Sequence, residues 1–156
     1  EQGQPEQACE LLNPYLEGSN PPESIFLLEA EIALNHGDLE KAVRLCNKIV
    51  QREPLSIGGH YLLGIIYLTW EDGPRAIEEF KKVLYLEPEH ALARFNLADL
   101  YSQAGQFEEA RLEYSNVVRL LREVPESFDE RFAGGFSPAL LIDTCLSRIE
   151  ALEGKK

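Results

Sequence analysis

The chain has 156 residues, 44% of them hydrophobic, which suffices for one or two modest domains with a proper core. Its formal charge of −12 argues against a nucleic-acid grip, which needs lysine and arginine against phosphate, and disfavours anionic membrane surfaces. No apolar run approaches the roughly 18 residues that would cross a bilayer, and the opening residues do not read as a basic-then-apolar leader.

Taken in order, residues 4–17 are expected to form the second helix of a truncated upstream repeat spanning 1–22. The chain holds no methionine and opens at EQGQPEQ, inside that unit, so it reads as a piece of a longer protein. Helix pairs are expected at about 23–36 and 39–52, 57–70 and 73–86, and 91–104 and 107–123. These divide the chain into repeats at 23–56, 57–90 and 91–124. The segment 125–156 then completes one continuous domain: a loop over 124–137, and a capping helix from Pro138 to about Leu152.

The divisions come from a period. Ala8, Ala42, Ala76 and Ala110 stand 34 residues apart, Gly37 and Gly105 keep the same frame, and so do Pro54 and Pro88. Residues 57 to 90 carry Leu63-Gly64-x2-Tyr67, Ala76-x3-Phe80 and Pro88, with His60 in a tryptophan slot. Residues 91 to 124 carry Leu97-Ala98-x2-Tyr101 and Ala110-x3-Tyr114. This pattern resembles the tetratricopeptide repeat, and implies an all-α solenoid of antiparallel helix pairs. It counts about three full repeats, an N-terminal half repeat and a C-terminal capping helix. Gly64, Ala30 and Ala98 would allow the helices of a pair to cross closely. Tyr67, Phe80, Tyr101 and Tyr114 would fill gaps between repeats, and Gly37 and Gly105 would serve the tight turns. The middle repeat lacks that turn glycine. Gly73 and Pro74 there suggest a slightly longer first helix.

Residues 60–70, HYLLGIIYLTW, are apolar round most of the helix, more than one buried stripe requires. Beyond the packing signature, Tyr61, Ile65 and Leu68 share one face. The equivalent positions are Leu27, Glu31 and Leu34 before, and Phe95, Asp99 and Ser102 after. The expected concave groove has an apolar floor with Glu31 and Asp99 at its sides, suited to an amphipathic segment with basic flanks. The stripe Phe128, Phe132 and Phe136 is the alternative cover, either filling that groove or padding the last repeat. Trp70, at a helix end, suits packing better than an anchor.

Nothing points to catalysis. His36, His60 and His90 pair neither with one another nor with a cysteine at metal spacing, and Gly58-Gly59 and Gly134-Gly135 suit turns better than phosphate loops. Glu78-Glu79 and Glu108-Glu109 read as solvated outer faces. No catalytic residue, metal or cofactor is expected. Cys9, Cys46 and Cys145 are odd in number and far apart, as free thiols in a reducing cytoplasm would be.

The runs VLYLEPEHALARFNLADLY and Leu120-Leu121, then Gly135-Phe136-Ser137 leading to Leu140-Leu141 and Cys145, narrow the resemblance. They are similar to the region that follows the catalytic part of some bacterial chemotaxis-receptor methyltransferases of the CheR type, such as the enzyme of the Frz gliding-motility pathway. The resemblance implies a parent that methylates receptor glutamates from S-adenosylmethionine. This segment would be its regulatory or targeting module, docking a receptor, a signalling partner or its own catalytic domain. A scaffold or self-association segment is the alternative. Docking of chaperone C-termini is not expected: where a lysine–asparagine–arginine clamp would stand, the chain has Leu27, Glu31, Leu62 and Leu92, with only Asn96 conforming.

Overall fold

The computed structural model describes residues 22–123 and 137–154. The expected half repeat at 4–17 and the stripe Phe128, Phe132 and Phe136 lie outside the described residues. Every element among those described is a helix, so the fold class is the all-α helical repeat. The helices are α1 (Glu23–Asn35), α2 (Leu39–Arg52), α3 (Ile57–Thr69), α4 (Gly73–Leu86), α5 (Ala91–Gln103), α6 (Phe107–Glu123) and α7 (Pro138–Leu152). The chain divides into two compact units between Glu79 and Phe80, within α4.

In the first unit, α1 packs on α2, α2 on α3, and α1 also touches α3. Ala30, Ala42 and Cys46 are fully buried, as small side chains at a close helix crossing must be. The α3 helix begins at a cap: the Ser56 hydroxyl oxygen accepts a hydrogen bond from the Gly59 amide at 2.9 Å. Gly58 and Gly59 are therefore helical residues of the first turn of α3, not the loop glycines that their pairing suggested. A Cβ at Gly59 would fall 2.8 Å from Ser56 Oγ and 3.0 Å from both Ile49 Cγ2 and Val50 Cγ1. The glycine is what lets α3 lie so close to α2.

In the second unit, α6 packs on both α5 and α7. Tyr114, Val117 and Leu120 are buried along one face of α6 at spacings of three, and Leu141, Cys145 and Leu152 are buried on α7. The α7 helix starts at Ser137, whose hydroxyl oxygen accepts from the Leu140 amide at 3.2 Å, with Pro138 in the first turn.

The three first helices α1, α3 and α5 each have 13 residues and begin 34 residues apart. The longer helix expected in the middle repeat is not formed. Its turn closes as the other two do. The amides of Gly37, Glu71 and Gly105 donate to the carbonyls of Leu34, Leu68 and Ser102, and the next amides reach back to Ala33, Tyr67 and Tyr101. All three residues sit in the left-handed region, at φ of 76°, 59° and 76°. Glu71 thus takes a glycine's conformation without being one, because the hydrogen bonds on both sides of it impose the turn.

Candidate protein-binding site

The positions expected to line a groove fall on both units, and each unit presents its own set. In the first, Leu27, Glu31 and Leu34 on α1 and Ile65 and Leu68 on α3 are half-buried. Leu27 lies against α3: a Cβ at Gly58 would stand 2.9 Å from its Cδ1 and 3.1 Å from its Cδ2. Leucines and isoleucine at this intermediate burial keep apolar area that a partner could cover. Tyr61 departs from the expected open floor. It is 2% exposed, so its ring is already enclosed. An apolar helical stripe reports only that something covers it, and here the cover is in place.

At the far end of α3, Trp70 is 39% exposed and its ring centroid lies 6.2 Å from that of Tyr67. The Arg75 guanidinium stacks 4.6 Å above Tyr67 and is bound to Asp72. Backbone and side-chain hydrogen bonds from Arg75 hold the Asp72 carboxyl below its ordinary range. Glu79 also departs from expectation. It is buried, and its Oε2 lies 2.6 Å from His60 Nδ1, so it does not belong to a solvated face.

In the second unit, Phe95 is 8% exposed, likewise packed rather than open, while Asp99 and Ser102 are half-buried. The rings of Phe95 and Tyr114 lie 6.1 Å apart, and the Tyr114 hydroxyl donates to Asp99 Oδ1. Arg148 of α7 donates to the same oxygen, and its guanidinium lies over Phe95. Burial raises the Asp99 carboxyl above its ordinary range, opposed by Tyr114 and Arg148. Burial, reinforced by the hydrogen bond to Asp99, also raises the Tyr114 phenol. The periodicity found Phe95, Asp99 and Tyr114 but missed Arg148. The available signal was that Arg148 is the lone lysine or arginine of α7.

No group of three or more histidines, cysteines or acidic residues able to hold a metal ion occurs among the described residues. Nor is any helix there long and apolar enough to cross a membrane. Cys46 and Cys145 are free and buried.

The 34-residue recurrence of helix starts and turns has a counterpart in direct comparison: residues 71–126 fit the family model described as tetratricopeptide repeat. Residues 71–126 carry the tetratricopeptide pattern. Such repeats stack helix pairs into extended surfaces of the kind that bind other proteins. Among the curated relatives, the probable biofilm formation methyltransferase WspC of Pseudomonas putida is 34% identical over 89 residues. That stretch is 57% of this chain and 21% of WspC. The tetratricopeptide repeat and J domain-containing co-chaperone DNJ1 of Fusarium oxysporum is 29% identical over 93 residues, 60% of this chain and 18% of that protein. This chain thus matches about a fifth of the length of either relative.

Two solved structures have the same tetratricopeptide fold. The TPR2B domain of yeast Sti1, in its pHsp70 complex, aligns at a TM-score of 0.69 and 17% identity, covering 83% of this chain and 96% of that one. The Yersinia enterocolitica chaperone SycD, in complex with a peptide of the translocator YopD, aligns at 0.70 and 16% identity, covering 82% and 89%.

Proposed function

We propose that this chain is the regulatory or targeting module of a larger cytoplasmic signalling methyltransferase, one that modifies receptor glutamates with S-adenosylmethionine. The observation that carries the reading is the 34% identity over 89 residues to the methyltransferase WspC, beside the tetratricopeptide match at residues 71–126. The tail from Ser137 through Leu140-Leu141 to Cys145 supports it. On this reading the repeats run 23–56, 57–90 and 91–124. They choose what the catalytic part meets: a receptor, a signalling partner, or that catalytic part itself.

The docking stripe is the half-buried apolar set Leu27, Leu34, Ile65 and Leu68 with Glu31 beside it. Apolar side chains next to a carboxylate suit an amphipathic segment with basic flanks, and a chain of charge −12 favours the same partner by long-range attraction. A glutamate-rich receptor segment would be repelled, so the docked segment lies outside the methylation sites.

The test uses the complete gene product. Ile65→Glu with Leu68→Glu should lower receptor methylation in cells severalfold while leaving methyl transfer to an excess of isolated receptor unchanged. Unchanged methylation in cells, with the fold intact by circular dichroism, would overturn the stripe. Failure of the complete product to transfer methyl groups from S-adenosylmethionine at all would overturn the methyltransferase link.

A further inference from the structure

In the second unit one cation, Arg148, meets a carboxylate, a phenol and two aromatic rings. Arg148 Nη1 donates to Asp99 Oδ1 and stands 3.3 Å from the Tyr114 hydroxyl oxygen, which itself donates to Asp99. The guanidinium carbon lies 5.2 Å from the Phe95 ring centroid and 5.9 Å from that of Tyr114. One carboxylate, one phenol oxygen and two aromatic faces around a planar cation match what a guanidinium binds and what an ammonium uses less well.

The arrangement is open on the arginine's side. The Arg148 side chain is 45% exposed, against 19% for Asp99, so the pocket wall is sheltered and its occupant is not. Nor does α7 depend on this contact to dock. Its hold on the unit comes from Leu141, Cys145 and Leu152, all buried on its inner face. A half-exposed ion pair adds little stability beside that apolar contact.

The geometry points to a guanidinium-binding pocket formed by Asp99, Tyr114 and Phe95, which receives an arginine of a protein partner and is held in the interim by the chain's own Arg148. The partner's arginine and Arg148 compete for one carboxylate oxygen and one aromatic wall. Binding then requires Arg148 to swing into solvent, where much of its side chain already is. The net charge of −12 draws a cationic partner toward the pocket, and Arg148 sets how strong that partner must be. This rests on the chain being an interaction module, but not on the methyltransferase link or on the stripe of the first unit.

The experiment follows the Phe95 and Tyr114 ring resonances of the whole chain by NMR, during titration with acetyl-Gly-Arg-Gly-amide and, separately, with its lysine counterpart. Arg148→Ala should bind the arginine peptide about tenfold more tightly than the wild type, because the internal competitor is gone. Adding Asp99→Asn to that variant should return affinity to the wild-type level or below, and the lysine peptide should bind more weakly throughout. Equal affinity of wild type and Arg148→Ala, or indifference to Asp99→Asn, would overturn the pocket. Should Arg148→Ala lose its helicity, the wild type alone decides. At high arginine-peptide concentration both rings must shift, and they must not shift in Asp99→Asn. The stripe variant of the first unit should titrate as the wild type does, so failure of one site is separable from failure of the other.

Discussion

His60 Nδ1 lies 2.6 Å from Glu79 Oε2 in the interior of the first unit, with the two side chains 9% and 10% exposed. The other ring nitrogen, Nε2, lies 3.0 Å from the Pro54 carbonyl oxygen. Histidine thus ties the α2–α3 connection to α4 from a slot where the repeat pattern has tryptophan. Removing the ring takes a close partner from a buried carboxylate. His60→Ala should cost about 3 kcal/mol in urea unfolding, and Glu79→Gln less, since it keeps an acceptor beside Nδ1. In a double-mutant cycle the two should be coupled. Additive effects would show that the contact contributes nothing of its own.

Glu71 holds φ at 59°, where Gly37 and Gly105 hold 76° in the equivalent turns. Glu71→Gly should therefore raise stability by about 1 kcal/mol, and Gly37→Ala or Gly105→Ala should lower it by a similar amount. Thermal unfolding of the three variants checks both signs. A loss of stability in Glu71→Gly would mean that the glutamate side chain does more for the turn than its backbone strain costs.

Gly58 and Gly59 are neighbours in the sequence but not equivalent. At Gly59 a methyl group would meet Ser56 Oγ, Ile49 and Val50 within 3.0 Å, and the serine is the helix cap. Gly59→Ala should destabilise by about 2 kcal/mol, as overpacking does. At Gly58 the methyl meets only the ends of the Leu27 side chain, which can rotate. Gly58→Ala should be near neutral, because the gain in helix propensity offsets a small displacement. Equal penalties for the two would contradict this packing.

Burial pushes the Cys46 and Cys145 thiols up to about 12, with Glu31 adding to the first and Asp99 to the second. A group whose folded value exceeds its ordinary 9.0 contributes stability that is whole below pH 9 and is lost as pH rises toward 12. Stability should fall across that window. The gap between wild type and Cys46→Ala, constant below pH 9, should narrow within it. Denaturant midpoints at pH 8, 10 and 11 give the comparison, and a gap that stays constant would remove the thiol from the account.

Much of this was legible in the residues. The 34-residue recurrence of alanine, glycine and proline located the helices, because each residue type is required by a local geometry repeated in every unit. Ala30, Ala42, Ala76, Ala98 and Ala110 are all fully buried, as crossing positions should be. The site was legible only in part. Leu27, Leu34, Ile65 and Leu68 hold equivalent repeat positions by periodicity, as do Tyr61 and Phe95, yet those two rings are enclosed within their own units. Periodicity ranks faces of one helix and carries no information on how deeply each side chain is covered.

The sequence by itself determined the helical repeat, the places of its helices and the glycines of two of its three turns, since these follow from a residue pattern that recurs every 34 positions. The tertiary structure alone decided that Glu71 would adopt a left-handed turn, that Glu79 would be buried against His60, and that Arg148 would reach Asp99 across 49 residues of chain. A local pattern states which side chains can be apolar or charged at a place. Which charge meets which depends on the packing of helices distant in the chain, and that is a property of the folded whole.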